Sequence, residues 1–524
     1  VTTLYALGAT PLALALAGMV FFCTVLTYTE LSTAMPESGG SFSFARYAFN
    51  DLVSFIAGWA LLLDYIVTIA ISANSVGPYL ANVPAIHRVF PMLGSSAGTV
   101  VCTLFVLGAL LGLNILGIKE STRVSLLLAV FGVVTQLTII TIGLVVLLQL
   151  TQPQLFIEHL TQLWYHMQIG VPESTWSPTW PDFWKGVGMA MVAYIGIESI
   201  SQLAGEARHP NRTIPRAMMA TMITLLFLYF GTSTVALTAL HPKELTTAYL
   251  DNPLAGIVSS MPGRAYLVPW VGFLGATILF IAANAGLIGA SRLTFAMSEH
   301  FSLPWSRFFY RLHPRFKTPY VTLIFFTVLA ALIVLWARNL THMAELYNFG
   351  AMLSFALAHL SLLGLRVRQP GLPRPFKIGW NLRFGRYELP LTALVGLLGT
   401  AAVWVDVILT KPAGRNLGFL WMGLGLVCYF WYRRQQKLPA TARVELEKLT
   451  LPGYQVISIK KILVPTVGAS INETVQFAAK LAKLHGAEMT ALHVIEIPPS
   501  LPLDTFFPEK LALADSIMEQ AQAI

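Results

Sequence analysis

The most informative stretch of this chain is Met189-Ala-Met-Val-Ala-Tyr-Ile-Gly-Ile-Glu-Ser-Ile-Ser-Gln-Leu-Ala-Gly-Glu206. It is apolar up to Ala193, and then Tyr194, Gly196 and Glu198 crowd one short span. Glycine weakens a helix, and a carboxylate inside a bilayer is costly unless it faces a cavity or a partner. The pattern predicts a membrane helix interrupted in its middle, where unwound backbone can hold a substrate. The alternative interpretation is an ordinary kinked helix whose polar groups pair internally.

The composition is that of a membrane protein. Of the 524 residues, 55% are hydrophobic and 11% are charged, whereas soluble domains carry about 25% charged residues. The formal net charge of +9 does not indicate a nucleic-acid partner, because the basic residues lie in short loops between apolar runs. Cys23, Cys102 and Cys428 are far apart within apolar runs, so they predict neither a disulfide framework nor a metal site.

Apolar runs long enough to cross a hydrocarbon core of about 30 Å define eleven predicted spans. They fall at roughly 11–34, 52–75, 98–117, 123–149, 184–204, 216–240, 267–295, 319–338, 345–366, 388–409 and 417–433. The positive-inside rule places the basic loops around 208–216 and 366–386 in the cytoplasm. A multi-pass plasma-membrane protein with a cytoplasmic C-terminus follows. The same orientation requires an odd number of helices before the first run, so we expect one further helix in a complete chain.

The composition changes after Lys437. Residues 438–458 are predicted to be a polar linker. Residues 459–524 then contain a short apolar strand near 460–466, an amphipathic helix at 473–485 and a second strand at 488–497. This order predicts a small soluble α/β module behind an all-α polytopic membrane domain at residues 1–437. The module is short for a doubly wound domain, which suggests that it is cut at its C-terminus.

Asp64 is a candidate binding residue because it lies in the middle of a predicted span. Thr68 and Ser72 follow at i+4 and i+8 on the same helix face, and Tyr65 is adjacent. A carboxylate, two hydroxyls and a phenol form a stripe of oxygen ligands that suits a cation. The alternative is that both hydroxyls bond their own i−4 carbonyls and that Asp64 pairs with a distant cation.

Glu198 is a second candidate, either as a gate or proton carrier, or as a structural partner of a polar group such as Asn284. Glu30 and Asp406 fall near helix ends, where we expect contact with water or headgroups. Arg292 is expected to pair with Glu206 or with a loop rather than to bind substrate.

Six short motifs, in consistent order across residues 1–437, resemble the amino acid–polyamine–organocation transporter superfamily. They are Tyr28-Thr-Glu-Leu-Ser-Thr-Ala-Met-Pro-Glu-Ser-Gly-Gly-Ser-Phe42, Gly58-Trp59, Asn114-Ile-Leu-Gly-Ile-Lys119, Ala193-Tyr-Ile-Gly-Ile-Glu198, Ser291-Arg-Leu-Thr-Phe-Ala-Met297 and Arg374-Pro-Phe-Lys377. The resemblance implies two inverted five-helix repeats with discontinuous first and sixth helices, plus two further helices. The first helix would lie mostly before Val1.

The resemblance also implies a substrate site at the midplane, between the broken helices and the spans at 52–75 and 267–295. The expected substrate-binding residues are Tyr194, Ile195, Gly196, Asp64, Tyr65, Thr68, Ser72 and Asn284, and the expected gating or coupling residues are Glu198 and Asp64. The stretch from Asp64 to Ser72 is also similar to the third helix of bacterial potassium importers of this superfamily. Ile195 departs from those importers, which have Thr at that position.

The first functional hypothesis is therefore a secondary transporter for amino acids or related organic cations, working by alternating access. Its coupling ion, H⁺ or Na⁺, stays open, because Gly132 stands where proton-coupled members commonly have Lys. A potassium importer is the second hypothesis. An enzyme is not indicated, because the sequence shows no nucleophile–base pair and no metal cluster.

A membrane-anchored nucleotide or stress sensor is the third hypothesis, because the C-terminal module resembles the start of a universal stress protein domain. Val464-Pro-Thr466 is similar to the first strand of that domain, but Val467 replaces its usual Asp. The Gly-rich phosphate loop would lie beyond Ile524, so no cofactor is predicted and ATP binding is not supported. Homodimerisation through this module is an open possibility.

Overall fold

The computed structural model of the chain describes residues 2–81, 83–147, 153–249, 252–300, 303, 306–336, 340–385, 387–443, 460–466, 471–495 and 507–523. The chain divides into two compact units, Val1–Glu445 and Leu446–Ile524. The first unit is helical apart from one hairpin, and the second unit combines helices with two strands.

The first half of the helical unit runs from α1 to α11. Its helices are α1 Thr2–Ala6, α2 Thr10–Ala34, α3 Ser41–Ala48, α4 Asp51–Ala81, α5 Pro84–Val89, α6 Ser96–Leu116, α7 Ile118–Ile142, α8 Pro153–His166, α9 Trp180–Ala190, α10 Ser199–Gln202 and α11 Pro210–Ala239. The second half contains α12 Pro242–Thr247, α13 Pro253–Ser259, α14 Arg264–Glu299, α15 Ser306–Phe309, α16 Tyr320–Trp336, α17 Leu340–Arg368, the antiparallel strands β1 Asn381–Phe384 and β2 Tyr387–Pro390, α18 Leu391–Thr410 and α19 Pro412–Gln435.

Among the described residues, 8 helices are long and apolar enough to cross a membrane. They are Thr2–Ala34, Asp51–Ala81, Ser96–Leu116, Arg123–Val146, Pro210–Ala239, Arg264–Glu299, His342–Arg368 and Leu391–Thr410. These coincide with eight of the eleven predicted spans. The other three predicted spans correspond to the interrupted helix at α9–α10, the shorter apolar helix α16 and the less apolar helix α19.

Helix α4 lies at the centre of the helical unit because small residues let two neighbours approach it closely. A Cβ at Gly289 of α14 would stand 2.7 Å from the ring of Tyr65, and one at Gly286 would stand 3.0 Å from Ile69. On the other side, a Cβ at Gly350 of α17 would lie 2.6 Å from a backbone oxygen of α4. Close packing through glycine is a common way to join membrane helices. This close packing against α14 and α17 sets the orientation of α4 and therefore the direction in which Asp64 faces.

The predicted interruption of the helix around Gly196 is confirmed. Helix α9 ends at Ala190, a 3₁₀ turn covers Met191–Tyr194, and α10 begins only at Ser199. Ile195 is extended, with φ −64° and ψ 141°, and Gly196 has φ +120°. Residues with side chains rarely adopt that φ value, so glycine is what permits this turn of the backbone.

Glu30 contradicts the expectation that it contacts water or headgroups. It is fully buried on α2, and Arg366 of α17 binds it through two hydrogen bonds of 2.7 and 2.6 Å. The guanidinium of Arg374 lies 3.2 Å from the same carboxylate, and the backbone N–H of Ile378 donates to it at 2.9 Å. The prediction was wrong because the segment after α17 folds over this end of α2.

Arg292 behaves as predicted. Its side chain is buried on α14, and its Nε donates to Glu206 Oε1 at 3.0 Å. Glu206 closes the 3₁₀ turn Ala204–Glu206 that follows α10. The ion pair therefore ties the end of the interrupted helix to α14.

The helical unit includes residues after the end of α19, because residues 440 and 442 form hydrogen bonds with it. The backbone N–H of Asp51 donates to Ala442 O at 2.9 Å, and Tyr429 Oη donates to Ala440 O at 2.7 Å. Arg433 joins the same corner through an ion pair of 2.7 Å with Asp51. These contacts hold residues 439–442 at the ends of α4 and α19.

In the second unit, β3 Lys461–Pro465 and β4 Glu488–Leu492 form a parallel pair, with Lys461 opposite Glu488. Helix α20, Ile471–His485, connects them, and α21, Pro508–Ala523, follows. Val464, Val475, Ala478 and Ala521 form a small buried core. A parallel pair joined by a helix is the elementary βαβ arrangement.

Candidate functional site

The unwound segment between α9 and α10 presents a buried carboxylate. The backbone N–H of Gly196 donates to Glu198 Oε2 at 2.7 Å, so Glu198 folds back over the interruption. Its second oxygen, Oε1, is buried and has no hydrogen-bond partner among the described residues. Half of this carboxylate is thus available to another group.

Asp64 lies on the neighbouring face of α4 and is fully buried. Neither of its carboxylate oxygens has a hydrogen-bond partner in the part of the chain that the structure describes. The hydroxyls of Thr68 and Tyr347 lie nearby, but the Thr68 hydroxyl donates to the Asp64 carbonyl at 2.9 Å. Glu198 is close enough for its charge to repel that of Asp64.

Three tyrosines surround the two acids. The hydroxyl of Tyr65 is buried without a described partner and lies near Ser199, at the start of α10. Tyr28 of α2 has an equally unpartnered hydroxyl, near the Ser41–Ser354 hydrogen bond. Tyr347 approaches from α17. Hydroxyls that can both donate and accept make this a polar chamber in a membrane-embedded core.

The sequence prediction missed several of these groups, namely Tyr28, Tyr347, Ser41 and Ser354. Tyr28 and Ser41 do lie in one of the quoted motifs, which is the one signal that pointed to them. Tyr347 lies in an apolar run, where a phenol is most often a packing residue with its hydroxyl satisfied. Their role becomes visible only when α2, α3 and α17 are placed around α4.

Five of the predicted site residues lie close together in the structure, namely Asp64, Tyr65, Thr68, Gly196 and Glu198. The other predicted residues lie further away. Tyr194 turns toward α2, where its hydroxyl donates to Leu14 O at 2.9 Å and its ring stacks on Phe21. The side chain of Ile195 packs among apolar residues, and Ser72 is buried two turns along α4 from Asp64.

Asn284 is the predicted site residue that the structure places elsewhere. It is buried between α6 and α7, where it accepts from Asn114 Nδ2 at 2.6 Å and donates to Ser125 Oγ at 2.8 Å. Gly286, which faces α4, is two residues further along, and two residues turn a helix by roughly 200°. Asn284 therefore points away from Asp64, and it is not the partner of Glu198.

Neither Asp64 nor Glu198 forms an ion pair with any lysine or arginine that the structure describes. A small void beside Glu198 is too narrow to hold water, and its lining residues are Phe21, Thr24, Val25, Tyr28, Ile197, Glu198 and Met218. The described residues contain no group of three or more His, Cys, Asp and Glu side chains placed to hold a metal ion. Buried acids in this setting call for a mobile cation or for protons.

The sequence model of a protein family described as "Amino acid permease" matches residues 1–431. The chain belongs to this family. The match covers the helices that form the chamber. Membership in this family and the several apolar helices of the structure both indicate a multi-pass membrane protein.

Characterised relatives of this permease are transporters. It is 28% identical to the branched-chain amino acid permease BcaP of Bacillus subtilis (strain 168), over 80% of this chain and 84% of that protein. It is 25% identical to the methylthioribose transporter of the same organism, over 83% and 89% of the two chains. It is also 25% identical to the low-affinity putrescine importer PlaP of Escherichia coli (strain K12), over 80% and 85%.

Substituting Gly196 with alanine in this permease is expected to lower both uptake and thermal stability. A Cβ at this position meets nothing within 4 Å, so the effect comes from the backbone alone. Holding a non-glycine residue at φ +120° costs about 1–3 kcal/mol. Gly423→Ala in α19 is the matched control, because its Cβ also meets nothing and its backbone is helical. We expect that control to be neutral or stabilising, and equal behaviour of the two variants would contradict the prediction.

Proposed function

We propose that this permease is a secondary transporter that moves amino acids or related organic cations across the cytoplasmic membrane by alternating access. The observation that carries the proposal is the buried carboxylate of Asp64, which has no hydrogen-bond partner among the described residues and lies opposite the unwound segment at Gly196. The two elements belong to α4 and to the interrupted helix. A substrate between them would bridge parts of the molecule that can move relative to each other.

An ammonium group fits the chemistry of the chamber. It carries one positive charge and three hydrogen-bond donors, whereas Asp64 and Glu198 offer acceptors with no described partner. Branched-chain amino acids and putrescine, which the names of two relatives give as substrates, share this group. Methylthioribose, named for a third relative, does not. The acids therefore favour an ammonium-bearing substrate for this chain.

We assign gating and ion coupling to Glu198 and Asp64. Either acid can hold a proton or contact Na⁺ when no ammonium group is present, which would remove the repulsion between them. The Arg292–Glu206 ion pair joins the end of the interrupted helix to α14. Opening towards the cytoplasm, the side on which we place Arg208, would require this pair to separate.

The experiment is uptake of radiolabelled leucine and putrescine by the purified protein in proteoliposomes, with an imposed proton or sodium gradient. We expect saturable uptake of at least one of the two compounds, and competition from other ammonium-bearing substrates. Potassium flux, measured in the same vesicles, tests the alternative importer of inorganic cations. That alternative rests on the buried oxygens of Asp64, Tyr65 and Thr68. Potassium flux without any competition from amines would reject our proposal in its favour.

We further propose that residues 459–524 are a soluble α/β module of the universal-stress-protein type that faces the cytoplasm. It would be joined through the predicted linker at 438–458, whose first residues pack on the helical unit. The parallel pair β3–β4 with its connecting helix supports this proposal. Such a module could serve dimerisation or sensing. If it only regulates transport, a chain ended at Glu445 keeps its uptake in the assay above. Loss of uptake would mean that the module is needed for transport itself.

A further inference from the structure

A cavity of about 490 Å³ opens at the end of α17, far along the chain from the acids of the chamber. Its walls are the last turn of α17, the segment that follows it and the β1–β2 hairpin. The lining residues are Arg366, Pro370, Arg374, Lys377, Arg383, Gly385 and Glu388. Four of them are cationic and one is acidic, so the wall carries an excess of positive charge.

Two guanidinium groups of the cavity wall are anchored by ion pairs and hydrogen bonds. Behind the cavity wall, the buried carboxylate of Glu30 is shared between the guanidinium groups of Arg366 and Arg374, although Glu30 itself does not line the cavity. Arg374 also donates to the backbone carbonyls of Leu372 at 2.9 Å and Gln369 at 3.0 Å. The guanidinium groups are therefore held in place before any ligand arrives.

The rim of the cavity holds a carboxylate that can be displaced. Glu388 on β2 is hydrogen-bonded to Lys377 and lies 3.7 Å from Arg383 and 3.9 Å from Arg366. Because Lys377 donates to it, the pKa of Glu388 is held below its ordinary range. One partly exposed carboxylate thus faces three cations. Ion pairs with exposed members contribute little stability, so a stronger anion can replace it.

We propose that this cavity binds a phosphate-class anion, presented by the headgroup of an anionic lipid of the inner leaflet. Guanidinium groups match phosphate oxygens in shape and charge, and Lys377 adds a mobile cation. Trp380, at the base of the hairpin, is 80% exposed. A tryptophan in this setting is typical of the membrane–water interface, which places lipid headgroups beside the cavity. The leaflet follows from the proposed orientation, and soluble phosphate is the other source of the same chemistry.

The test measures the apparent melting temperature of the full-length protein in neutral detergent. Three compounds are titrated: short-chain phosphatidylglycerol, short-chain phosphatidylcholine and inorganic phosphate. A ligand of the folded protein raises the melting temperature as its concentration exceeds its dissociation constant. We expect phosphatidylglycerol to stabilise and phosphatidylcholine to have little effect. Stabilisation by inorganic phosphate alone would keep the anion site but reject the lipid, and no stabilisation by either anion would overturn the proposal.

Three variants make the test specific to this cavity. Lys377→Gln with Arg383→Gln is expected to weaken the apparent affinity at least about tenfold, because two charged contacts are lost. Lys243→Gln with Arg264→Gln removes the same charge from exposed positions outside the cavity and is expected to change nothing. Glu388→Gln is expected to strengthen binding about two- to fivefold, because a competing anion is gone. Equal affinity in all three variants would contradict the assignment.

Discussion

Replacing Asp64 with asparagine is expected to reduce substrate uptake in proteoliposomes by at least about 30-fold. Removing one charged partner of a buried, hydrogen-bonded contact costs about 2–5 kcal/mol in binding, and 2 kcal/mol corresponds to roughly 30-fold. Asp64 is fully buried and its carboxylate oxygens have no described partner. The substitution therefore breaks no hydrogen bond between the Asp64 carboxylate and the described residues.

The same substitution separates a binding role from a structural one, because the two roles have opposite effects on stability. Neutralising an unpaired buried acid removes an electrostatic penalty, so Asp64→Asn is expected to be as stable as the parent protein or more stable. Asp406→Asn is the matched control. Asp406 is partly exposed on α18, accepts from Thr410 and should leave uptake unchanged. A destabilised Asp64→Asn protein, or one with normal uptake, would reject the assignment.

The interruption of the helix at Gly196 could be predicted because its cause is local. A glycine, a carboxylate and two serines within one apolar run conflict with an uninterrupted membrane helix, whatever packs around it. Asp64 could be predicted on the same ground, since a mid-span acid is costly without a function or a partner. In both cases, one short stretch of sequence combines polar or helix-weakening residues with an apolar membrane span.

The surroundings of these residues could not be predicted in the same way, because they depend on contacts distant in sequence. Glu30 and Arg366 are 336 positions apart, and nothing near Glu30 indicates that a guanidinium will cover it. Asn284 has the residue type of a site residue, but which face of α14 meets α4 depends on Gly286 and Gly289. Tyr347 differs from a packing tyrosine only through its neighbours.

Of the single substitutions that we propose for the helical unit, Glu30→Gln is expected to be the most destabilising. It removes the one carboxylate shared by Arg366 and Arg374, whose side chains are 3% and 6% exposed. Breaking a buried ion pair from one side costs about 3–5 kcal/mol. Arg366 would keep only its longer contact of 3.9 Å with Glu388, which does not replace the buried carboxylate. The apparent melting temperature in detergent should fall by on the order of 5–10 °C.

Two further variants test whether the loss of stability in Glu30→Gln comes from the buried ion pair. Glu30→Asp keeps the charge with a shorter reach, so its melting temperature should lie between those of the parent and Glu30→Gln. Asp182→Asn breaks the exposed pair with Lys185, of 3.0 Å, and should have no detectable effect. A Glu30→Gln protein as stable as Asp182→Asn would contradict the prediction.

If the proposed function is right, Glu30 is expected to affect transport as well as stability. It lies two residues after Tyr28 on α2, and its partner Arg366 lies at the end of the helix that carries Tyr347 and Ser354. The ion pair thus holds together two helices that line the chamber at Asp64. Glu30→Asp is therefore expected to lower uptake per folded molecule, whereas a purely structural role would lower only the amount of folded protein. Uptake normalised to the monodisperse fraction distinguishes the two.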